Sequence, residues 1–186
     1  NQDFHQLNNI EILSKYWIKA QKNYNLIGEK KFFKTHSANL TYLGNHYTNC
    51  EVAKGVIYLI RDPRDVVISY SKHLNKSIDD VIFILQQNNT ITYSAKGNFP
   101  IILSRWDYHV NSWLKLKVPK LVIKFEHLLE NTPGVVSQLI TFLNDKLDYK
   151  LNINKADLDK IIENTSFNNL KSKEINKGFA EATKNS

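Results

Sequence analysis

The junction between Val56-Ile57-Tyr58-Leu59-Ile60 and Arg61-Asp62-Pro63 constrains the fold more than any other stretch of this chain. A continuous apolar run of this kind predicts a strand covered on both faces. Asp62 suits a helix N-cap and Pro63 suits the first helical turn. Val66, Val67, Tyr70 and Leu74 then recur at helical spacing. A buried strand therefore hands over to a helix within two or three residues.

The rest of the chain extends the same alternation. Leu7 to Tyr24 carries Ile10, Leu13 and Trp17 at helical spacing and predicts one amphipathic helix. Lys31 to Thr35 is short, aromatic and alternating, and predicts a strand. Ser37 to Lys54 has no period and predicts a loop. A helix is expected from Ser77, with Ile78, Val81, Ile82 and Leu85, and another over roughly Pro100 to Leu116, with Trp106, Val110 and Trp113 on one side. Lys120 to Phe125 is the second β-rich run. Thr132 as cap and Pro133 in the first turn open a helix to Leu143, Asp157 to Glu163 forms a short helix, and the remainder to Ser186 is polar with weak period. Strands alternating with helices predict an α/β fold, a parallel β-sheet flanked by helices, in a single domain over residues 1–186. The sheet has few strands for that class, and the sequence has no methionine, not even at position 1. Both features lead to the expectation of a fragment or processed form with part of its domain outside it.

Composition removes several classes of function. One cysteine excludes a disulfide framework and a thiolate zinc cage. His46 and Cys50 lack partners for a metal site, so none is expected. No apolar run approaches the ~18 residues of a membrane span and no leader is visible, so a reducing, cytoplasmic setting is expected. The formal charge is +7, carried by 22 lysines and only three arginines, and two of those are Arg61 and Arg64.

In a parallel sheet, ligands sit beyond the carboxyl ends of the strands. Arg61 holds that position here, followed by a helix start. A helix N-terminus favours an anion, and an arginine fork matches phosphate geometry better than lysine does. Ser69, on the same helix, offers a hydroxyl to the same oxygens. The alternative is that Arg61 pairs with Asp65, while Ser69 shares a solvated face with Lys72 and His73. Lys34 and His36, two apart in the expected strand, project to one side. A lysine there neutralises oxygens on a leaving phosphate, and an imidazole of ordinary pKa ~6.5 takes a proton from an attacking hydroxyl. The alternative is an ordinary surface pair. His109, between Trp106 and Trp113, reads as a histidine at the edge of the core.

Lys34-Thr35-His36, followed by Ile57-Tyr58-Leu59-Ile60-Arg61-Asp62-Pro63-Arg64-Asp65-Val66-Val67-Ile68-Ser69, resembles the sulfotransferase family in wording and order. Trp106-Asp107-Tyr108-His109-Val110 with Trp113 is similar to its Trp-x-x-His-Val helix. Leu121 to Leu128 is similar to its strand ending in Tyr-Glu-Asp-Leu, and Thr165-Ser166-Phe167 to its adenine-side Thr-Ser-Phe. The Arg-Asp-Pro-Arg-Asp-Val segment is the specific one, and the others support it. The resemblance implies a P-loop-NTPase-like architecture and the co-substrate 3′-phosphoadenosine 5′-phosphosulfate (PAPS), used without a metal. Arg61 and Ser69 would hold the 3′-phosphate, and Thr165 and Phe167 would flank the adenine. His36 would be the general base on an acceptor hydroxyl or amine, with Lys34 beside the transferring sulfuryl group. No acceptor signature is visible.

Three departures accompany the resemblance. The family's 5′-phosphosulfate loop and first strand are expected before Asn1, and its Arg-Lys-Gly segment beyond Ser186, so this chain alone is expected to be inactive. Phe125 and His127 stand where the family has Tyr and Asp. Two other functions compete. A basic, tyrosine-bearing surface fits non-catalytic nucleic-acid binding, though acidic residues interrupt the charge. A P-loop kinase shares the α/β logic, though no Gly-x-x-x-x-Gly-Lys-Ser/Thr occurs here.

Overall fold

The computed structural model describes residues 9–26, 28, 30–88, 90–93 and 100–178. In chain order these form α1 (Ile10–Ser14), α2 (Trp17–Leu26), β1 (Thr41–Tyr42), β2 (Asn45–His46), β3 (Val56–Ile60), α3 (Pro63–Leu74) and α4 (Ile78–Gln86). Then follow β4 (Ile91–Tyr93), β5 (Pro100–Ile102), α5 (Trp106–Leu114), β6 (Lys120–Lys124), α6 (Phe125–Glu130), α7 (Thr132–Leu147), α8 (Lys155–Asn164) and α9 (Phe167–Lys177). The result is a mixed α/β arrangement with a small parallel sheet, β3 beside β6, and two antiparallel pairs, β1 with β2 and β4 with β5. No helix among the described residues is long and apolar enough to cross a membrane.

Contacts divide the chain into two compact units. The first comprises the described residues up to Val56 together with Asp62–Lys120. Its core gathers Ile10, Ala38, Leu40 and Ile102, with Trp17, Tyr42 and Ile91 packed against them. Three rings run edge to face, Tyr47 meeting Trp17 at 5.1 Å and Trp113 at 6.1 Å between centroids. The second unit comprises Ile57–Arg61 and the described residues from Leu121 onward. Ile123 of β6 is buried there, as are Val135, Phe142 and Leu143 of α7. Helices α6 to α9 follow, each packed on the next.

Local chemistry accounts for several element boundaries. Asp62 accepts from Arg64 N at the start of α3, with Pro63 at the first helical position, and Asn75 ends the helix in the left-handed region. Ser77 caps α4 by accepting from Asp80 N at 3.1 Å. The β1–β2 hairpin turns on Leu43 and Gly44, whose φ values of 48° and 79° give the doubly positive turn that matches strand twist.

The structure corrects other expectations. The N-terminal helix starts after its cap Asn9 and is interrupted at Lys15–Tyr16, where Lys15 N and Tyr16 N bond three residues back instead of four. Residues 7 and 8 lie outside the described residues. Lys31 to Thr35 is not a strand: no ladder includes it among the described residues, and neighbouring Phe32 and Phe33 are 64% and 61% exposed. The segment 37–54 contains the β1–β2 hairpin. Pro100–Ile102 is a strand paired with Ile91–Tyr93, so α5 begins only at Trp106, after Ser104 at φ 58° breaks the chain direction. Leu59 of β3 is 59% exposed, so that strand is not covered on both faces among the described residues. Asn131, not Thr132, caps α7, and the helix continues to Leu147. α8 is longer than predicted, and the polar stretch after it contains α9, capped by Ser166. Residues 179–186 lie outside the described residues.

Candidate functional site

In the second unit, Arg61 follows β3 directly, and its guanidinium lies over the Phe125 ring, 4.7 Å from the centroid. Phe125 opens α6 immediately after β6, so the two adjacent strands deliver cation and ring to the same end of the parallel pair. Stacking on an aromatic face is worth about 0.5–1 kcal/mol or more when desolvated. It uses the flat face of the guanidinium, whereas the N–H donors lie in its plane. Arg61 is half-buried, with Nε shielded from solvent.

The other arginines are engaged differently. Arg64 grips Asp62 through Nε and a terminal nitrogen at 3.0 and 2.6 Å. Hydrogen bonds from that side chain and from the Arg64 amide hold the Asp62 carboxyl down at about 2. The anion at the start of α3 is thus the Asp62 side chain itself, and the N–H of Arg64 is already satisfied by it. Arg105 closes the same kind of fork on Asp107, at 2.9 and 2.6 Å. Ser69 lies on the exposed side of α3, alongside exposed Lys72 and His73.

Thr165 ends α8 and donates its hydroxyl to Ile161 O at 2.7 Å. Phe167 begins α9 and is 76% exposed, with Lys171 Nζ 6.0 Å from its ring centre. Ser166 between them accepts from Asn169 N and so sets the direction of the helix that carries Phe167. Tyr58, on β3, has its phenol pushed up to about 12 by burial and stays neutral.

In the first unit, Lys34, Thr35 and His36 are exposed. Because this segment is not a strand, the argument that Lys34 and His36 share a side through strand alternation does not apply. Hydrogen bonds hold the segment in place of a ladder. Thr35 Oγ1 lies 2.5 Å from Tyr47 OH and accepts from Ser37 N at 3.0 Å. His109 Nε2 donates to His36 O at 3.1 Å, Trp113 Nε1 donates to Ser37 O at 3.0 Å, and Asn39 N donates to Ser112 Oγ at 2.9 Å. From β5, Ile102 N donates to Ser37 Oγ and Ile102 O accepts from Ala38 N. Burial pulls the His109 imidazole below its ordinary value. The His36 carbonyl bond opposes that shift, and the nearby His36 charge adds to it.

The sequence reading missed the role of His109, Ser112 and Trp113 as anchors of this loop. Their spacing of three and four residues on one helix was the available signal. An open depression of about 310 Å³ elsewhere in the first unit is bordered by His46, Cys50, Ser112 and Lys115; neither Lys34 nor His36 lines it.

Comparison with known proteins identifies the family. The model of the sulfotransferase domain matches residues 3–185. Sulfotransferase 2A1 of Macaca fascicularis is 26% identical over 163 residues, covering 83% of this chain and 52% of that protein. The 3-beta-hydroxysteroid sulfotransferase of Cavia porcellus is 28% identical over 163 residues, covering 86% of this chain and 53% of its own length. The chain thus spans about half the length of the curated relatives it matches. A crystal structure of retinol dehydratase in complex with androsterone and inactive cofactor PAP shares the fold, with a TM-score of 0.54 at 21% identity, over 86% of this chain and 46% of that one. With a family match running nearly end to end, the chain belongs to the sulfotransferase domain family.

Proposed function

We propose that the protein transfers a sulfuryl group from PAPS to an acceptor hydroxyl, and that residues 1–186 belong to one such domain. The observation that carries this reading is Arg61. It stands in the family's specific Arg-Asp-Pro-Arg-Asp-Val segment at the carboxyl end of a parallel strand, with its guanidinium braced on Phe125. An arginine so placed suits a nucleotide's 3′-phosphate. Ser69 adds a hydroxyl to that phosphate, and Thr165 and Phe167 bracket the adenine. Phe125 replaces the family's tyrosine, which removes a phenolic donor and leaves an aromatic face as its contribution.

In the reaction, His36 takes the proton from the acceptor oxygen as that oxygen attacks sulfur. A new sulfur–oxygen bond forms while the bond from sulfur to the bridging phosphate oxygen breaks, and adenosine 3′,5′-bisphosphate leaves. Lys34 meets the negative charge that grows on the leaving side. Catalysis of this kind is chiefly positioning and charge stabilisation. The names of the relatives make a hydroxysteroid the first acceptor to assay, and a cytoplasmic setting belongs to the same proposal.

Titration calorimetry tests the nucleotide reading. Adenosine 3′,5′-bisphosphate should bind and ATP should not compete with it. ATP binding with equal affinity would favour a kinase. His36→Ala should abolish turnover in a protein that turns over PAPS, while leaving nucleotide affinity intact; undiminished turnover removes His36 as the base.

A further inference from the structure

Three side chains on one face of α5 reach the same short loop. His109, Ser112 and Trp113 bond to His36, Asn39 and Ser37 respectively, at 3.1, 2.9 and 3.0 Å. Two of the three ties are easily read as loop anchoring. Trp113 is buried, and its indole N–H needs an acceptor, which the Ser37 carbonyl supplies. Ser112 is a small hydroxyl that donates to His109 O and accepts from the Asn39 amide. These ties, and those from Ile102, act on Ser37, Ala38 and Asn39. The His109 bond acts on His36 itself.

We infer that His109 is a positioning residue for sulfuryl transfer, its Nε2–H clamping the main-chain carbonyl of His36 so that the His36 imidazole stands at a fixed place. The inference rests on the reading of His36 as general base. His36 is exposed and belongs to no strand or helix, so its backbone needs another source of order. A carbonyl can only accept, so the ring nitrogen facing it carries the proton, which selects one tautomer of neutral His109. Burial favours that neutral form, and the charge of His36 favours it further. When His36 takes the acceptor's proton it becomes cationic, and a neutral neighbour does not repel that charge. An uncharged donor therefore does what a lysine or arginine at the same position would not.

The test uses the chain labelled with 15N-histidine, compared with His109→Phe, His109→Gln and His36→Ala. Glutamine keeps an N–H that can reach the same carbonyl, whereas phenylalanine keeps only bulk. The wild-type His109 ring should show its proton on Nε2. The His36 ring resonances should move in His109→Phe and return towards wild type in His109→Gln. In a protein that carries these residues and turns over PAPS, kcat with a 3β-hydroxysteroid should fall by up to about a hundredfold in His109→Phe, with KM for PAPS unchanged, and recover in His109→Gln. A proton on Nδ1 of His109, or His36 resonances and kcat untouched in a folded His109→Phe, overturns the inference. If His109→Phe fails to fold, the wild-type tautomer and the glutamine variant decide it. Unchanged turnover in His36→Ala would instead overturn the general-base reading, and the ring spectra would still judge the clamp.

Discussion

Arg61 differs from Arg64 and Arg105 in what its guanidinium meets. The latter two close forks on aspartates two residues away, whereas Arg61 lies on the face of Phe125. Arg61→Ala should weaken binding of adenosine 3′,5′-bisphosphate by about 1.5–3 kcal/mol, the scale of a charge-assisted hydrogen bond. Adenosine 5′-phosphate, which lacks the 3′-phosphate, should lose much less, and calorimetry of both nucleotides on both proteins checks this. Equal losses would remove Arg61 from the 3′-phosphate. His109 supports a prediction about pH. Its pKa in the fold lies below the ordinary value near ~6.5, so the unfolded chain takes up the proton more readily. Above that value both states are neutral and stability does not depend on this group. As pH falls through ~6.5 the unfolded state is protonated first, and stability declines until the folded-state value is passed. Thermal unfolding of the wild type should therefore shift downward between pH 7.5 and 5.5, and His109→Gln should flatten the curve. Identical curves for the two proteins would contradict the assignment.

At the scale of the element, α7 shows how a capping side chain can oppose intrinsic propensity. Asn131 accepts from Gly134 N at 3.1 Å, and a methyl group at Gly134 would meet the amide head of Asn131. Alanine is favoured over glycine inside a helix by about 1 kcal/mol, but displacing the cap costs about as much. Gly134→Ala should therefore leave the denaturation midpoint nearly unchanged. A gain approaching the full propensity difference would mean that the cap survives. In the other unit, Ile102 is 1% exposed and its backbone bonds to both Ser37 and Ala38. Ile102→Ala should destabilise the fold by about 2–5 kcal/mol, measured by denaturant unfolding. Hydrogen exchange at Ala38 should rise with it, since the same strand carries the core contact and the loop anchor.

For the whole molecule, the net charge of +7 gives generic attraction to any polyanion, so affinity for nucleic acid alone says little about function. Two measurements together separate the readings. On heparin and DNA columns the protein should elute at modest salt, because its positive charge is interspersed with acidic residues. Adenosine 3′,5′-bisphosphate should raise the unfolding temperature in a concentration-dependent way, as a ligand of the folded state must. Tight retention without nucleotide stabilisation would favour the nucleic-acid reading.

What the sequence determined by itself was the part of the protein whose causes are local. The β3–α3 junction, with Asp62 and Pro63, could be read because a cap and a proline act within one turn of the chain. The Lys34 to Phe167 motif order pointed to the family for a similar reason, as residue type and spacing are themselves sequence. Tertiary structure decided everything that depends on a remote partner. Pro100–Ile102 became a strand because Ile91–Tyr93 lies beside it, and Lys31 to Thr35, with no described strand beside it, did not. The bracing of Arg61 by Phe125 joins residues 64 positions apart, and the bond from His109 to His36 spans 73. No periodicity encodes contacts at such separations, because they arise only when packing brings distant segments to the same place.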